Sequence, residues 1–481
     1  MKRTTKARKT SDGSAVLDWG LTALCVIAGS LLVWFCCPYP ATMTDSWGYL
    51  LAAIEKRFIV FRPYGYSEFL RVVHFFSHSV LAVFIAQALL YWLSLTLLLR
   101  VVRRAFPPRR TLPFVLLEAL CALAPSALFM LDALMADTLY CSCLFLMLAG
   151  AVALLDGRSP LWLVLYAGAF FVALNTRYSA MFLPFAFVPV LLFVRKRAAA
   201  VCAVVLTLAV FLGFRASMLS NMQKAVGVRQ FSTGFDGWQL ANNAMHLLPH
   251  LSKEECRKMP ADARLKQLHA FCLRRYDERI LDYTGGGKRV VSAFVWKRDL
   301  PLKQYMEATM ASGRASYQEV WVKLGSGLYA DYGRWLILHY PFKFFRYYLW
   351  PNLAGVFYPR DTELVGNFVE IPAGKQEMVQ WFDLPADRVM RERSPFFRRQ
   401  VLPWLPALDL VTWLIFIVAV VVVLRRRRKD SAPVRQVLWL LFLLALVHYG
   451  STWFATPVVL RYWIPMHAVK LIFAWIALAK R

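Results

Sequence analysis

The sequence predicts an all-α polytopic membrane protein with about ten transmembrane helices and a large extracytoplasmic region between spans seven and eight. Three observations carry that expectation. Hydrophobic residues make up 59% of the 481-residue chain, above the roughly half typical of soluble domains, and mean hydropathy is +0.46. The apolar residues fall in runs close to the roughly 20 residues that a bilayer crossing requires. The basic residues behind the net charge of +28 gather in short clusters between those runs, as the positive-inside pattern places them. That clustering argues for membrane topology and against nucleic acid as a partner.

The runs lie near 16–37, 78–100, 112–131, 134–155, 160–175, 178–194, 199–217, 403–424, 434–454 and 460–479. The first lacks a small-x-small cleavage site and further runs follow it, so it reads as a retained span. The clusters MKRTTKARK, RVVRRAFPPRR (100–110), RKR (195–197), RRRRK (425–429) and Lys480-Arg481 all fall inside when both termini are cytoplasmic and ten spans cross. The expected location is therefore a bacterial inner or plasma membrane, crossed several times. Four regions follow: a basic N-terminus (1–15), a seven-span core (16–217), an extracytoplasmic region (218–402) and three final spans (403–481). Within the third, YGRWLILHYPFKFFRYYLWPNLAGVF (332–357) is apolar and aromatic, but Lys343 and Arg346 fall mid-run and Pro341 breaks it. Were it to cross, Arg425–Arg428 would land outside. It reads instead as a helix lying in the outer interface, where Trp and Tyr collect.

Most cysteines, among them Cys25, Cys121, Cys141, Cys143 and Cys202, sit within apolar runs as small hydrophobes. Cys256 and Cys272 share a polar segment and can pair if it is extracytoplasmic. TGGGKR (284–289) lacks the GxxxxGK[ST] spacing of a phosphate loop and reads as a flexible turn. His246 and His250 have no acid between them and a proline inside the pair, which argues against zinc; no metal ligands are assigned.

The chemistry gathers at the outer face. The same topology places there Asp45 and Arg62 in TDSWGYLLAAIEKRFIVFRPYGYSEFLR, Asp132 and Asp137 in LDALMADTLY, Arg177 in NTRYSA, and Arg461 with Tyr462 in VVLRYWIP. Ionisable groups at the edge of hydrocarbon are costly and mark function. Arginine's fork binds phosphate oxygens bidentately, and a carboxylate can take a proton from an incoming hydroxyl or amine. A lipid-linked phosphosugar offers a phosphate leaving group at this depth. Each residue also has a plainer role: Asp45 can cap the helix that follows it, and Arg177 and Arg461 can snorkel to headgroups. Their joint placement on one side favours the functional reading.

These segments, in this order, resemble the GT-C superfamily of polytopic glycosyltransferases, which includes protein O-mannosyltransferases and lipid A aminoarabinose transferases. TDSWGYLLAA followed by RPYGYSEFL is similar to that family's first outer loop, MADTLYCSCLFLMLAG to its second acidic corner, and ALNTRYSAMFLP to its Arg-then-Pro corner. HYPFKFFRYY and RYWIP are similar to two later motifs. The resemblance covers about residues 15–217 and 332–470. Two departures stand out: Ser46 follows Asp45 where the mannosyltransferases have a second acid, and 218–331 matches no accessory domain of the family.

The resemblance implies transfer of a sugar from a polyprenyl-phosphate donor to a lipid, glycan or protein acceptor, by direct displacement with inversion. It implies Asp45 as base and Asp137 as the second acid, positioning acceptor or a divalent cation, with Asp132 as the fallback. Arg177 and Arg461 are the phosphate clamp, Arg62 a weaker third member, and Tyr49, Tyr64, Tyr66 and Tyr462 candidate substrate contacts. Two alternatives stay open: a transporter or flippase for a lipid-linked substrate, and an O-antigen ligase or polymerase. The acids lie at the outer rim and not in mid-span, where transporters keep their polar breaks. The basic loop 218–402 fits the second.

Overall fold

The computed structural model describes residues 12–37, 41–108, 110–275, 284–290, 296–313, 315–359, 368–369, 380–383, 389–390, 393–426 and 431–478. The basic clusters at 1–9, 427–429 and 480–481 lie outside the described residues. The fold is helical, apart from an antiparallel pairing of β1 (Phe368–Val369) with β2 (Val389–Met390).

Among the described residues, five helices are long and apolar enough to cross a membrane: Val80–Ala105 (α4), Ala136–Leu155 (α7), Arg197–Val226 (α10), Phe397–Arg426 and Ala432–Ala455. A sixth candidate is the pair Leu112–Ala122 (α5) and Pro125–Leu131 (α6), bent by 42°. Pro125 cannot donate to the turn before it, which explains the break. The other expected spans fall on shorter apolar helices: Gly20–Cys36 within α1 (Asp12–Cys36), Trp162–Thr176 (α8), Tyr178–Leu191, and Ile464–Leu478 at the C-terminus. Pro184 and Pro189 account for the irregular start of the third.

Helix α7 is apolar on every side, the pattern of a helix with no solvent face. Its hydropathic core is 94% buried, against 28% for α10 and 22% for Phe397–Arg426. It therefore forms the centre, packed between α4 and α8, while the other two turn wide apolar faces outward. Being fixed on all sides, its first turn is a rigid platform for Asp137.

A second hydrophobic cluster runs from Met222 to Tyr348 and takes in Val60 from the segment before Gly65. Trp238, Trp296 and Trp321 form its aromatic centre, with Trp296 and Trp321 stacked 5.8 Å apart. The segment 332–357 is helical with a break at Tyr340, ahead of Pro341. Tyr332, Leu336 and Tyr348 face this cluster, whereas Leu338 and Phe342 are 76% and 89% exposed. One side is thus built for protein and the other for an apolar surrounding. The expected pairing of Cys256 with Cys272 is not found: both are free thiols. Cys272 is buried in the cluster beside Tyr332, whereas Cys256 ends the short capped helix Lys253–Cys256.

The cluster also buries two histidines. Nδ1 of His246 lies 3.1 Å from the Asn242 carbonyl oxygen, and Nδ1 of His269 lies 2.9 Å from the Tyr332 hydroxyl. Burial pushes both imidazoles down to about 4. Between that value and the ordinary 6.5 the unfolded chain binds protons that the folded cluster refuses. Stability is therefore complete above pH 6.5 and falls as pH drops towards 4. Tryptophan fluorescence during denaturant unfolding of the purified protein should show this loss, reduced in His269→Gln. A stability independent of pH across that window would contradict it.

Candidate functional site

The site begins with backbone. The Ala41 N–H donates to the Asp132 carbonyl at 2.6 Å, and the Leu134 N–H donates back to the Ala41 carbonyl at 2.9 Å. Ser46, buried in helix Thr44–Ile54 (α2), donates its hydroxyl to the Leu134 carbonyl at 2.8 Å and accepts from the Met43 N–H. The segment that opens α2 is in this way stapled to the corner before α7, and Asp45 comes to rest near Asp137. Below the staple, Gln87 donates to the carbonyls of Leu131 and Ala133 and accepts from the Tyr66 hydroxyl at 2.7 Å. Gly65 lies against the Asn175 backbone so closely that a Cβ would sit 2.5 Å from the Asn175 carbonyl oxygen. That contact, open only to glycine, brings the Arg62 loop beside the Arg177 corner.

The last corner is fixed from the other side. Asn352 donates to the carbonyls of Trp453 and Thr456 and accepts from the Val458 N–H, at 2.7–2.9 Å. His448 Nε2 lies 2.7 Å from the Tyr462 carbonyl oxygen, which requires the proton on Nε2. These bonds hold the helical turn Leu460–Trp463, and with it Arg461.

Five charges then form an alternating chain: Arg62, Asp45, Arg461, Asp137, Arg177. Arg62 pairs with Asp45 Oδ1, and Arg177 with Asp137 Oδ1. Arg461 joins the two pairs: both its terminal nitrogens lie 3.3 Å from Asp45 Oδ2, and Nη1 is 3.6 Å from Asp137 Oδ2. Asp137 is only 4% exposed and Arg461 12%. Arg177 also sits over the rings of Tyr462 and Tyr140, 4.8 and 5.8 Å from their centroids. Burial alone would raise the Asp45 carboxyl, but the fields of Arg62, Arg461 and Arg177 overcome it and hold that carboxyl below the usual carboxylate range.

All five charges line a cavity of 1350 Å³, together with Tyr49 and Tyr462. Three of the expected contacts fall outside it. Tyr66 is buried and braces Gln87; the Tyr64 hydroxyl accepts from Arg71 at 3.3 Å; Asp132 is buried behind the staple, to which it lends its carbonyl. Alternation explains the split between the two acids: Asp137 opens the first turn of α7 and faces the cavity, whereas Asp132 ends α6 and turns inward. Tyr49, which lines the cavity, is largely buried. The cavity also takes in Tyr140, Gln239, Asn243 and His448, which the sequence reading missed. Tyr140 alone had a local signal, lying one helical turn after Asp137. Among the described residues no three His, Cys, Asp or Glu side chains converge on one point. Asp137 faces two guanidiniums, an environment that repels a divalent cation, so no step is assigned to one.

Comparison of the chain with protein-family models, with curated proteins and with solved structures finds no match. The class rests on what is described here: a helical membrane protein with a charged cavity built from the corners between its apolar helices.

Residues in one charge network couple in stability by about 0.5–3 kcal/mol. Asp45→Asn and Arg461→Met, measured singly and together by thermal unfolding of the purified protein, should therefore be non-additive. Arg425→Met combined with Asp45→Asn should be additive. Additivity in both cycles would mean that Arg461 does not bind Asp45.

Proposed function

We propose that this protein is a membrane glycosyltransferase that moves a sugar from a polyprenyl-phosphate donor to an acceptor on the outer side of the membrane. One observation carries the reading. Three guanidiniums and two carboxylates meet at a cavity between apolar helices, leaving one positive charge unmatched. A sugar joined to a lipid through one phosphate carries one negative charge and has a tail that needs hydrocarbon. The motif resemblance set out above points to the same class. In this reading ten spans cross, both termini are cytoplasmic, and the exposed side of 332–357 rests in the outer interface.

The charges also account for the reaction. The acceptor oxygen or nitrogen attacks the anomeric carbon, its bond to that carbon forms, and the bond to the phosphate oxygen breaks with inversion. The acceptor proton goes to Asp45, and the leaving phosphate gains one negative charge. Protonation of Asp45 adds one positive charge to the network at the same moment. The site is neutral before and after, and a buried site gains most from such matching. The arginine forks meet the phosphate oxygens where the new charge develops.

Arg461 has a second role here. Clamped between Arg62 and Arg461, Asp45 is a weak base. A donor phosphate competes for the same guanidiniums, and each contact it takes makes the Asp45 carboxylate more basic. The base is therefore strongest when the donor is bound.

Asp45→Asn keeps the shape but cannot accept the proton; Asp45 lies inside the first turn of α2, whose cap is Met43, so the capping role the sequence allowed is not what it plays. General-base help is worth about 10²–10⁴-fold in rate, and sugar transfer in membranes matched for protein level should fall by that order. Asp45→Ala should fall at least as far. Full activity in Asp45→Asn would leave Asp45 only a partner of the arginines and end the assignment.

A further inference from the structure

Two uncharged side chains in the cavity wall, Gln239 and His448, each have one hydrogen bond fixed by the fold and one lone pair left over. We propose that they form the subsite for the transferred sugar, and that they select an uncharged, hydroxyl-bearing ring over one that carries an acid. The word transferred rests on the glycosyl-transfer reading; the subsite itself does not.

The fixed bonds start from backbone carbonyls, which can only accept. The Ala455 carbonyl, at the end of helix Ala432–Ala455, accepts from the Asn243 side chain at 2.9 Å. Asn243 therefore presents its amide nitrogen there, and its oxygen faces Gln239, whose own nitrogen donates to it at 2.8 Å. Gln239 Oε1 is thereby turned away from Asn243. The Tyr462 carbonyl sets His448 in the same way: the proton is on Nε2, which leaves the Nδ1 lone pair as an acceptor. Both side chains are buried, at 7% and 8% exposure, yet among the described residues no donor meets Gln239 Oε1 or His448 Nδ1. Buried polar groups are nearly always satisfied, so two open acceptors in one cavity wall call for a ligand that donates.

The helix Phe235–Met245 that carries Gln239 is held without play. Gly237 lies against the Gly325 backbone so closely that a Cβ would sit 1.9 Å from the Gly325 carbonyl oxygen, which seats this helix on the aromatic cluster. Asp236, Gln239 and Asn243, spaced by three and then four residues, share its cavity face. One turn before Gln239 the Asp236 carboxylate accepts from Ser232 at 2.5 Å. This face therefore offers oxygen. Sugar hydroxyls donate to such groups, whereas an acid on the ring would set lone pair against lone pair and its charge against Asp236.

Tyr462 joins this wall to the charge network. Its carbonyl holds His448, its ring lies 4.8 Å from the Arg177 guanidinium, and Arg461 precedes it in the chain. A phosphate held by Arg177 and Arg461 has its sugar beside His448. Phosphate and ring then meet different chemistry, charged donors for the first and uncharged acceptors for the second.

The test uses the purified full-length protein in lipid nanodiscs, with binding read by saturation-transfer NMR. The sugar probes are the methyl glycosides of glucose, mannose, galactose and glucuronate; citronellyl phosphate, a short prenyl phosphate, probes the arginine clamp. At least one uncharged glycoside should bind about tenfold more tightly than the glucuronate, the worth of one or two hydrogen bonds. His448→Gln keeps a donor for the Tyr462 carbonyl but loses the Nδ1 lone pair; it should weaken that glycoside about threefold to tenfold and leave citronellyl phosphate unchanged. Gln239→Lys keeps a nitrogen for Asn243 and puts a cation in place of the acceptor, so the preference should move to the glucuronate. Equal binding of all four glycosides, or a preference for the uncharged ring that survives either substitution, overturns the proposal. Should His448→Gln also lose citronellyl phosphate, the corner has moved and Gln239→Lys alone decides. If citronellyl phosphate fails to bind even the unaltered protein while the sugar preference holds and is lost in the variants, the transferase reading falls and the subsite stands.

Discussion

One guanidinium shared by two carboxylates is the constraint on which the site depends. Arg461 reaches Asp45 and Asp137, which come from corners far apart in sequence. Two carboxylates this close repel each other, and each prefers water to an apolar interior. A cation between them, with another on each side, offsets that repulsion. A buried ion pair of this kind adds little net stability over a well-packed apolar core. Its presence among helices that could have closed over apolar side chains argues for function.

Most of the surrounding structure can be understood as holding that arrangement. The Ala41–Leu134 staple, the Ser46 hydroxyl and the Gln87 brace fix Asp45 relative to Asp137. Asn352 and His448 fix the turn that carries Arg461. These bonds set the positions of the corners that carry the charges. The central helix α7 supplies the rigid reference for all of them, being enclosed on every side. The second hydrophobic cluster brings Phe235 and Trp296 to the cavity wall, facing the charged corners.

The apolar helices and the corners between them were legible in the sequence because hydrophobic run length is a local signal. Asp45, Arg62, Asp137, Arg177 and Arg461 were legible for the same reason, each an isolated charge beside an aromatic residue or proline. The sequence misjudged Tyr64, Tyr66 and Asp132 because side-chain direction at a corner depends on partners 20 or more residues away, such as Gln87 for Tyr66. It missed Gln239, Asn243 and His448 for a related reason: the cavity they line is formed by segments far apart in sequence. The Cys256–Cys272 pairing failed on burial, since a polar segment in the sequence became the wall of an aromatic core.

The central claim is that this charge network serves a lipid-phosphate sugar, and the pool of such lipids tests it most directly. Mass spectrometry of lipid extracts from cells with and without the protein would quantify each polyprenyl-phosphate sugar. The account predicts that one sugar linked through a single phosphate accumulates when the protein is absent, and that restoring the native chain, but not the Arg461→Met variant, returns it to its normal level. An unchanged pool of every such lipid would contradict the account.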